Sequence, residues 1–378
     1  MLAGPGDHPV SRPTVAITGV DSRENPYPGL AIARSLRADP SFSGRIIALT
    51  YGLFCTGIYR DDLFDAVYLS PPTYDSESKL LHRILEIHSE DPIDVLIPAL
   101  DTEIAIYSRL ASAFSENGIR TFLPSERSVK LRNKDILHDT CRSLGIRTPK
   151  TVTITQIEQL DSPISIRYPL VIKGPFADAH VVEKASEIKT YYLQILKEWG
   201  FPVLLQEKIV GEEFDIAAVA GRNHEIIGHV PIRKFAISDR GKASAAIVVQ
   251  DAELGRLAGE ILRKLKWIGP CELELMRETA TGQYHLLEIN ARFPAWIYLT
   301  SEAGCNLPAL ALRSALGDSD PQPIEPLAGG HLFFRNRIGR IVDPRVMWDL
   351  INRGGWRKPS PEFQDIDSST TKHPRRIS

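Results

Sequence analysis

The sequence predicts an α/β fold in its first third and an α+β fold after it. Over the first 125 residues, short β-branched runs alternate with helical patterns, which is typical of βαβ units on a mostly parallel sheet. From residue 165 onward strands outnumber helices, and two late strands form a hairpin that carries acidic residues. A chain of 378 residues can form two or three packed units. We predict boundaries at 1–125, 126–320 and 321–378.

The elements of the first unit are predicted from periodicity. Strands are expected at 14–20, 45–51 and 93–98, and helices near 28–38, 76–89 and 102–116. The turn after the first strand is GVDSRENPYPG, in which Gly19 and Gly29 lack the GxGxxG spacing that brings amides against a pyrophosphate. Two prolines also remove amide donors, so a dinucleotide-dependent oxidoreductase is disfavoured.

The crevice beyond the carboxyl ends of these strands can still hold a substrate. The polar residues expected there are Asp21, Asn25, Tyr27, Asp101 and Glu103. Capping of helices is the alternative role for them.

The later elements follow from helix signals and strand alternation. Asn133 is the expected N-cap of a helix that Gly145 ends. A helix at 185–199 lies among the strands PLVIK, PVLLQ and FDIAAVA. An apolar stripe from Leu254 to Leu265 predicts another helix, and CELELM and YHLLEI form a hairpin across Gly282. Residues from about 360 on form a predicted flexible tail.

Composition indicates a soluble globular enzyme. Hydrophobic residues make up 43% and charged residues 24%, and the formal net charge is -2, so no global basic field for nucleic acid exists. The four cysteines are scattered without a CxxC pair, and no apolar run approaches the ~20 residues that span a bilayer. The N-terminus also lacks a signal-peptide pattern. We expect a cytoplasmic protein that binds neither membrane nor nucleic acid.

The late hairpin carries the strongest chemical signal. By the two-residue period of strands, Glu272 and Glu274 share one face, as do Glu288 and Asn290. Across the Gly282 turn, Glu274, Glu288 and Asn290 can converge as oxygen donors for Mg²⁺ that also bridges nucleotide phosphates. A solvated acidic face is the alternative.

Two lysines and one turn are candidates for nucleotide contact. Lys173 ends the strand PLVIK, and Lys134 opens a helix whose free amides favour phosphate, although each lysine alone is compatible with a solvated surface charge. The run QEKIVGEEFDI puts acidic residues on both sides of a turn at Gly211. A nucleotide between two sheets needs such backbone groups for adenine and a carboxylate for ribose.

The order Lys134, Lys173, QExIxGEE, Glu274 and then ExN at 288–290 resembles the ATP-grasp superfamily, which includes biotin carboxylase, carbamoyl-phosphate synthase and D-alanine ligase. The separation 288 − 274 = 14 is similar to the carbamoyl-phosphate synthase version. The resemblance covers roughly residues 14–315. It implies a Rossmann-like preATP-grasp domain at 1–125, then an ATP-grasp fold in which two α+β subdomains sandwich ATP, with a small lid at about 165–212.

The resemblance also implies roles for individual residues. Contacts to ATP are expected from Lys134, Lys173, Glu207, the backbone of Ile209, and Glu213 at the ribose. Magnesium, with manganese as an alternative, is expected on Glu274, Glu288 and Asn290. Arg292 and Lys173 are the expected catalytic residues, since a guanidinium suits the charge of a transferring phosphoryl group.

Departures from the family pattern bear on the substrate. The loop GPFADAHVV has one glycine where relatives are glycine-rich, and Ala291 replaces a usual proline. Phe293, Trp296 and Tyr298 are candidates for an acceptor pocket, with core packing as the alternative. Arg233 and Lys234 are candidates to bind a substrate carboxylate or the γ-phosphate, with a plain basic loop as the alternative.

The implied enzyme is an ADP-forming carboxylate-amine ligase that acts through an acyl phosphate. Its expected partners are small-molecule or peptide carboxylates and amines, and a homodimer is allowed. The alternatives are a bicarbonate-activating carboxylase, a carbamoyl-phosphate-synthase-like enzyme, and a non-catalytic nucleotide-binding regulatory module. A biotin carrier within the chain is disfavoured because no lysine is flanked by the methionines, which are Met1, Met276 and Met347.

Overall fold

The computed structural model describes residues 12–21, 27–175, 178–237, 242–317, 319–325, 329–335 and 344–358. The strands of this part of the chain are β1 (Thr14–Ile17), β2 (Arg45–Thr50), β3 (Ala66–Leu69), β4 (Val95–Ile97), β5 (Thr151–Ile154), β6 (Leu170–Lys173), β7 (Ala179–Val182), β8 (Val203–Glu207), β9 (Gly211–Ala220), β10 (Ile226–Ile237), β11 (Ala243–Val248), β12 (Gly269–Glu278), β13 (Tyr284–Asn290), β14 (Leu332–Phe334) and β15 (Gly355–Arg357). Its α-helices are α1 (Gly29–Ala38), α2 (Glu77–Glu90), α3 (Asp101–Glu116), α4 (Glu126–Leu131), α5 (Lys134–Ser143), α6 (Ala185–Trp199), α7 (Ala252–Lys264), α8 (Tyr298–Glu302), α9 (Leu307–Leu316) and α10 (Pro344–Arg353).

The N-terminal sheet is parallel except at one edge. Its order is β15-β3-β2-β1-β4, and β15 is antiparallel to β3. β1 is parallel to both β2 and β4, and its apolar residues are fully buried, as a sheet covered on both faces requires. Helix α3 begins just beyond β4, so Asp101 lies at the carboxyl edge of the sheet. The predicted α/β unit is confirmed.

A six-stranded sheet forms the largest unit, in the order β13-β12-β9-β10-β11-β14. β12 pairs antiparallel with β13 on one side and with β9 on the other. The apolar stripe of α7 packs on one face of this sheet, together with residues such as Phe214 and Leu273. Ala217 and Ile232 on the other face pack with α9 and residues of the N-terminal unit.

The smallest sheet has the order β5-β8-β6-β7 and is antiparallel throughout. One face of α6 packs on it through Ile188, Tyr192 and Ile195. The sheet starts at Thr151, before the boundary predicted for the lid. Its last strand, β8, ends four residues before β9 begins, so residues 208–210 connect the small sheet to the large one.

Several predicted details can be compared directly with the structure. Helix α6 has the predicted bounds, and α5 follows Asn133. Gly282 in the hairpin turn has a φ of +71°, which suits glycine. β14 and β15 lie in the predicted C-terminal segment, yet they pair with the large and the N-terminal sheet respectively. Asn25 and the tail beyond 358 lie outside the described residues.

Candidate nucleotide and metal site

A row of carboxylates crosses three adjacent strands of the large sheet. Glu274 on β12 lies directly opposite Glu288 on β13 and directly opposite Asp215 on β9. We call Glu288, Glu274 and Asp215 the acidic row. Directly opposed residues have Cβ atoms about 5 Å apart, and like charges at that spacing repel. The row is therefore stable only with cations close to it.

Asn290 links the hairpin strands beside the row. Its amide nitrogen donates to Glu272 Oε2 at 3.1 Å and to Glu274 Oε1 at 2.8 Å. The structure thus brings Glu274, Glu288 and Asn290 together on one face, as the alternation predicted. Which ion, if any, they bind stays a prediction.

The pKa values of the two opposed glutamates move in opposite directions. Burial, with the Glu274 charge beside it, raises the pKa of Glu288 above its ordinary value, although Lys134 opposes this. Burial also acts to raise the pKa of Glu274, but Lys234 and Arg292 outweigh it, so that pKa is lowered. The Glu274 charge disfavours ionisation of Glu288. A further cation beside the pair would therefore stabilise the state in which both glutamates are charged.

Lys134 and Lys173 lie at the Glu288 end of the row. Lys134 Nζ is 3.1 Å from Glu288 Oε2, and Lys173 Nζ donates to Gln206 Oε1 at 3.0 Å. Burial, followed by the charge of Lys134, lowers the pKa of Lys173 to about 8, although Glu288 acts against this shift. The two predicted phosphate contacts therefore share one region with the predicted metal ligands.

Lys234 lies at the other end of the row. Its Nζ is 2.9 Å from Asp215 Oδ1 and 3.6 Å from both Glu213 Oε2 and Glu274 Oε2. The side chains of Lys234 and Asp215 are each 3% exposed. A lysine so enclosed by carboxylates is part of the sheet's own charge balance. Its neighbour Arg233 points to the other face, is 45% exposed and pairs with Glu212, so the structure does not bring it into the cluster.

Arg292 connects the large sheet to the N-terminal unit. Its Nη1 donates to Glu272 Oε2 at 2.6 Å and its Nε to Asp101 Oδ2 at 2.8 Å, while Arg132 lies 3.4 Å from the same Asp101 carboxylate. Burial acts to raise the pKa of Asp101, but the two arginines lower it. Trp296, 3% exposed, donates its indole N–H to Glu272 Oε1 at 3.0 Å. Asp101 therefore forms ion pairs that join the N-terminal unit to Arg292 beside the large sheet.

The remaining predicted residues lie at the edges of this region. Glu207 ends β8, accepts from the backbone of Lys150 and is exposed, and Ile209 lies in the connection to β9. Asp21 is buried and accepts from Thr56 N at 3.4 Å. Phe293 is buried in the core, while Tyr298 lies under the guanidinium of Arg34.

Three residues that form ion pairs in or beside the acidic row were missing from the predicted site. They are Asp215, Glu272 and Arg132. Asp215 carried a usable signal, since it is a single carboxylate in the apolar strand FDIAAVA and shares a face with Glu213. Arg132 offered no such signal, because its pairing with Asp101 depends on the packing of two units.

The donor set fits magnesium held jointly with a nucleotide. Within the described ranges no group of three or more His, Cys, Asp or Glu side chains is arranged to hold a metal ion. Two carboxylates and an amide oxygen are too few for a dedicated cage. They suit Mg²⁺, which keeps water and takes phosphate oxygens alongside one or two carboxylates.

The part of the chain that forms most of the large sheet also matches a known protein family. Residues 201–331 match the family described as "ATP-grasp in the biosynthetic pathway with Ter operon". This chain contains an ATP-grasp domain. The match includes β9, β10, β12 and β13, which carry most of the cluster. The predicted superfamily is confirmed, as is the architecture of a preATP-grasp domain followed by an ATP-grasp fold.

Relatives of the ATP-grasp domain extend over more of the chain. The carbamoyl phosphate synthase large chain of Methanothermobacter thermautotrophicus is 23% identical over 278 residues, 68% of this chain. The chain spans only 25% of that relative's length. The L-amino acid ligase of Bacillus licheniformis has a TM-score of 0.60 at 16% identity, covering 83% of this chain and 75% of its own.

A third similar structure is the biotin carboxylase domain dimer of 2-oxoglutarate carboxylase from Hydrogenobacter thermophilus, in complex with MgADP, ADP and bicarbonate. Its TM-score is 0.64 at 15% identity, and the match covers 81% of this chain and 70% of that one. At these identities the solved structures show the shared fold.

Proposed function

We propose that this protein uses Mg-ATP to activate a carboxylate as an acyl phosphate and then joins it to an amine, releasing ADP and phosphate. The observation that carries this proposal is the convergence of Glu274, Glu288, Lys134 and Arg292 around one face of the large sheet. The relatives whose names state an activity or ligand include an L-amino acid ligase and a protein bound to MgADP. This combination supports ATP chemistry at the acidic row.

The nucleotide is proposed to lie where the small and large sheets meet. Residues 208–210 connect β8 to β9, so Glu207 and the backbone of Ile209 can border an adenine, and Glu213 can accept from ribose hydroxyls. Lys134 and Lys173 then face the phosphates. The large sheet supplies Glu274, Glu288 and Asn290 for a divalent ion, magnesium or manganese, which would offset phosphate charge when bound.

Catalysis is proposed to depend on positioning and charge. In-line attack of a substrate carboxylate on the γ-phosphate spreads negative charge over the transferring group, and the Lys173 ammonium and Arg292 guanidinium offset it. Burial, with Arg292 close by, also lowers the pKa of Lys242 to about 8. Below that pH the Lys242 ammonium still adds a positive charge on the Arg292 side, where an anionic substrate is favoured.

The second candidate function is activation of bicarbonate, as in a carboxylase or a carbamoyl-phosphate-forming enzyme. The similarity to carbamoyl phosphate synthase and to a bicarbonate-bound structure favours it. A nucleotide-binding regulatory module without turnover is the alternative of another class. All of these need the same nucleotide site, so only turnover separates them.

The test is substrate-dependent phosphate release. The protein is incubated with Mg-ATP and pooled amino acids or small peptides, and in parallel with bicarbonate and ammonia, and the products are identified by mass. The ligase proposal predicts phosphate release and a condensed product in the amino acid pool alone. Release that needs only bicarbonate would favour the second candidate, and nucleotide binding without any release would favour the regulatory module.

The remaining predictions concern assembly and location. A homodimer is proposed on the precedent of a relative whose structure is named a dimer. Within the described ranges, every helix is too short or too polar to traverse a lipid bilayer. The cytoplasmic location stays a prediction from the sequence.

A further inference from the structure

The two ends of the acidic row carry different kinds of ion pair. At one end, Lys134 and Glu288 remain 16% and 24% exposed, so solvent or a ligand can reach both partners. At the other end, the side chains of Lys234 and Asp215 are each 3% exposed. The first pair can exchange its partners on binding, whereas the second is enclosed in the sheet.

Moving Lys234 toward a ligand would be costly. Its ammonium lies between carboxylates on two strands, Asp215 on β9 and Glu274 on β12. Removing one partner of a buried pair leaves an uncompensated charge, which costs far more than the pair contributes. The Asp215 carboxylate, 2.9 Å from Lys234 Nζ and as enclosed as the lysine itself, depends strongly on this contact.

We propose that Lys234 is a positioning residue for the metal site: its ammonium holds Glu274 in place and neutralises Asp215, which lies next to Glu274 in the row. The carboxylate oxygens of Glu274 and Glu288 then remain for the divalent ion, and Asp215 does not compete for it. This role rests on the proposed function. It replaces the expectation that Lys234 binds a substrate carboxylate or the γ-phosphate.

Neighbouring residues provide the test variants. Lys234→Met removes the ammonium and keeps the aliphatic length. Arg233→Met removes a cation from the adjacent position on the opposite face of the strand, where the Arg233 side chain is 45% exposed, and serves as the matched control. The double variant Asp215→Asn, Lys234→Met removes one negative and one positive charge together. Since it keeps the net charge of the acidic row and Lys234 taken together, recovery of binding in the double variant shows that the loss in Lys234→Met is not a failure to fold.

The measurement is ADP binding by calorimetry on the full chain, across a magnesium titration and again in EDTA. Lys234→Met is expected to weaken magnesium-dependent ADP binding by about tenfold or more, because the displaced Glu274 no longer presents its oxygens to the ion. ADP binding by Lys234→Met in EDTA is expected to stay close to that of the wild type. The double variant is expected to recover binding to within about threefold of wild type, since neighbouring charges are strongly coupled.

Two results would overturn the positioning role while the wild type still binds Mg-ADP. Equal losses in the single and double variants, with and without magnesium, would show that Lys234 contacts the nucleotide itself. If Lys234→Met weakens magnesium-dependent ADP binding no more than Arg233→Met does, Lys234 neither positions Glu274 nor contacts the nucleotide. A wild type that never binds Mg-ADP would remove the proposed function, and this inference with it.

Discussion

Two glutamates in different units of this protein, Glu103 and Glu288, are held in opposite ways. Glu103 in the N-terminal unit is 0% exposed and accepts from Thr18, from Tyr51 and from the backbone amides of Ala99 and Leu100. Glu288 in the large sheet is partly exposed and faces the ammonium of Lys134. Both have a raised pKa, with burial as the first cause.

The difference lies in whether the partners can be exchanged. Glu103 is at the third position of α3, and its donors are hydroxyls and amides fixed by the fold, so it acts as a cap. This supports the capping alternative for Glu103 over a substrate contact. The partner of Glu288 is a flexible, charged side chain that a phosphate or divalent ion can displace. A raised carboxyl pKa therefore marks a binding site only where the partners are mobile and charged.

The largest expected effect comes from removing the charge of Glu288. Glu288→Gln keeps the shape but removes one of two carboxylates offered to the ion, and turnover is expected to fall by about a hundredfold or more. Circular dichroism should show an intact fold. Near wild-type turnover in this variant would contradict the metal assignment.

The matched change at the cap should act on stability. Glu103→Gln leaves hydroxyl or amide donors facing an amide NH₂, so the free energy of unfolding is expected to fall by about 2 kcal/mol. Mg-ADP affinity at a temperature where the variant is folded should stay close to wild type. A selective loss of nucleotide binding with normal stability would contradict the capping role, because it would mean that Glu103 belongs to the nucleotide site.

Lys173 gives a pH dependence to nucleotide binding. Its pKa is about 8 in the nucleotide-free protein, and a bound phosphate favours the charged form, so binding above pH 8 requires proton uptake. ADP affinity should therefore be constant below that pH and fall by up to about tenfold per unit above it. Lys173→Arg, which stays charged, should show a flat profile over pH 7–9. An unchanged slope in this variant would assign the titration to another group.

Trp296 should give the smallest effect. Trp296→Phe removes one donor to Glu272, which still accepts from Asn290 and Arg292, so stability should fall by about 1 kcal/mol with turnover changed only a few-fold. Thermal unfolding and steady-state kinetics measure both. A large shift in the preferred substrate would mean instead that the indole lines the acceptor pocket.

The strand alternation correctly predicted which polar residues of the hairpin share a face. Glu272, Glu274, Glu288 and Asn290 share a face because the side-chain period of a strand is two, and Gly282 fixed the turn between them. Helix α6 was predicted with its bounds because its apolar positions repeat at helical spacing and Gly200 ends it. These features depend on local sequence.

Features set by long-range packing escaped prediction. The short strand β3 has only four residues and a weak pattern, and β15 adds to the N-terminal sheet from nearly 300 residues away. The contact between Asp101 and Arg292 joins two units that no local pattern relates. Lys234 was identified as a candidate, but its ion pairs escaped prediction because its carboxylate partners lie on two other strands.

Metal binding by the acidic row is tested most directly by equilibrium binding of Mn²⁺ in the presence of ADP, followed by electron paramagnetic resonance. We expect one or more bound ions that require ADP in the wild type and in Glu103→Gln. The double variant Glu274→Gln, Glu288→Gln is expected to lose them. Manganese that binds the double variant as tightly as the wild type would contradict the claim that the acidic row binds the metal ion.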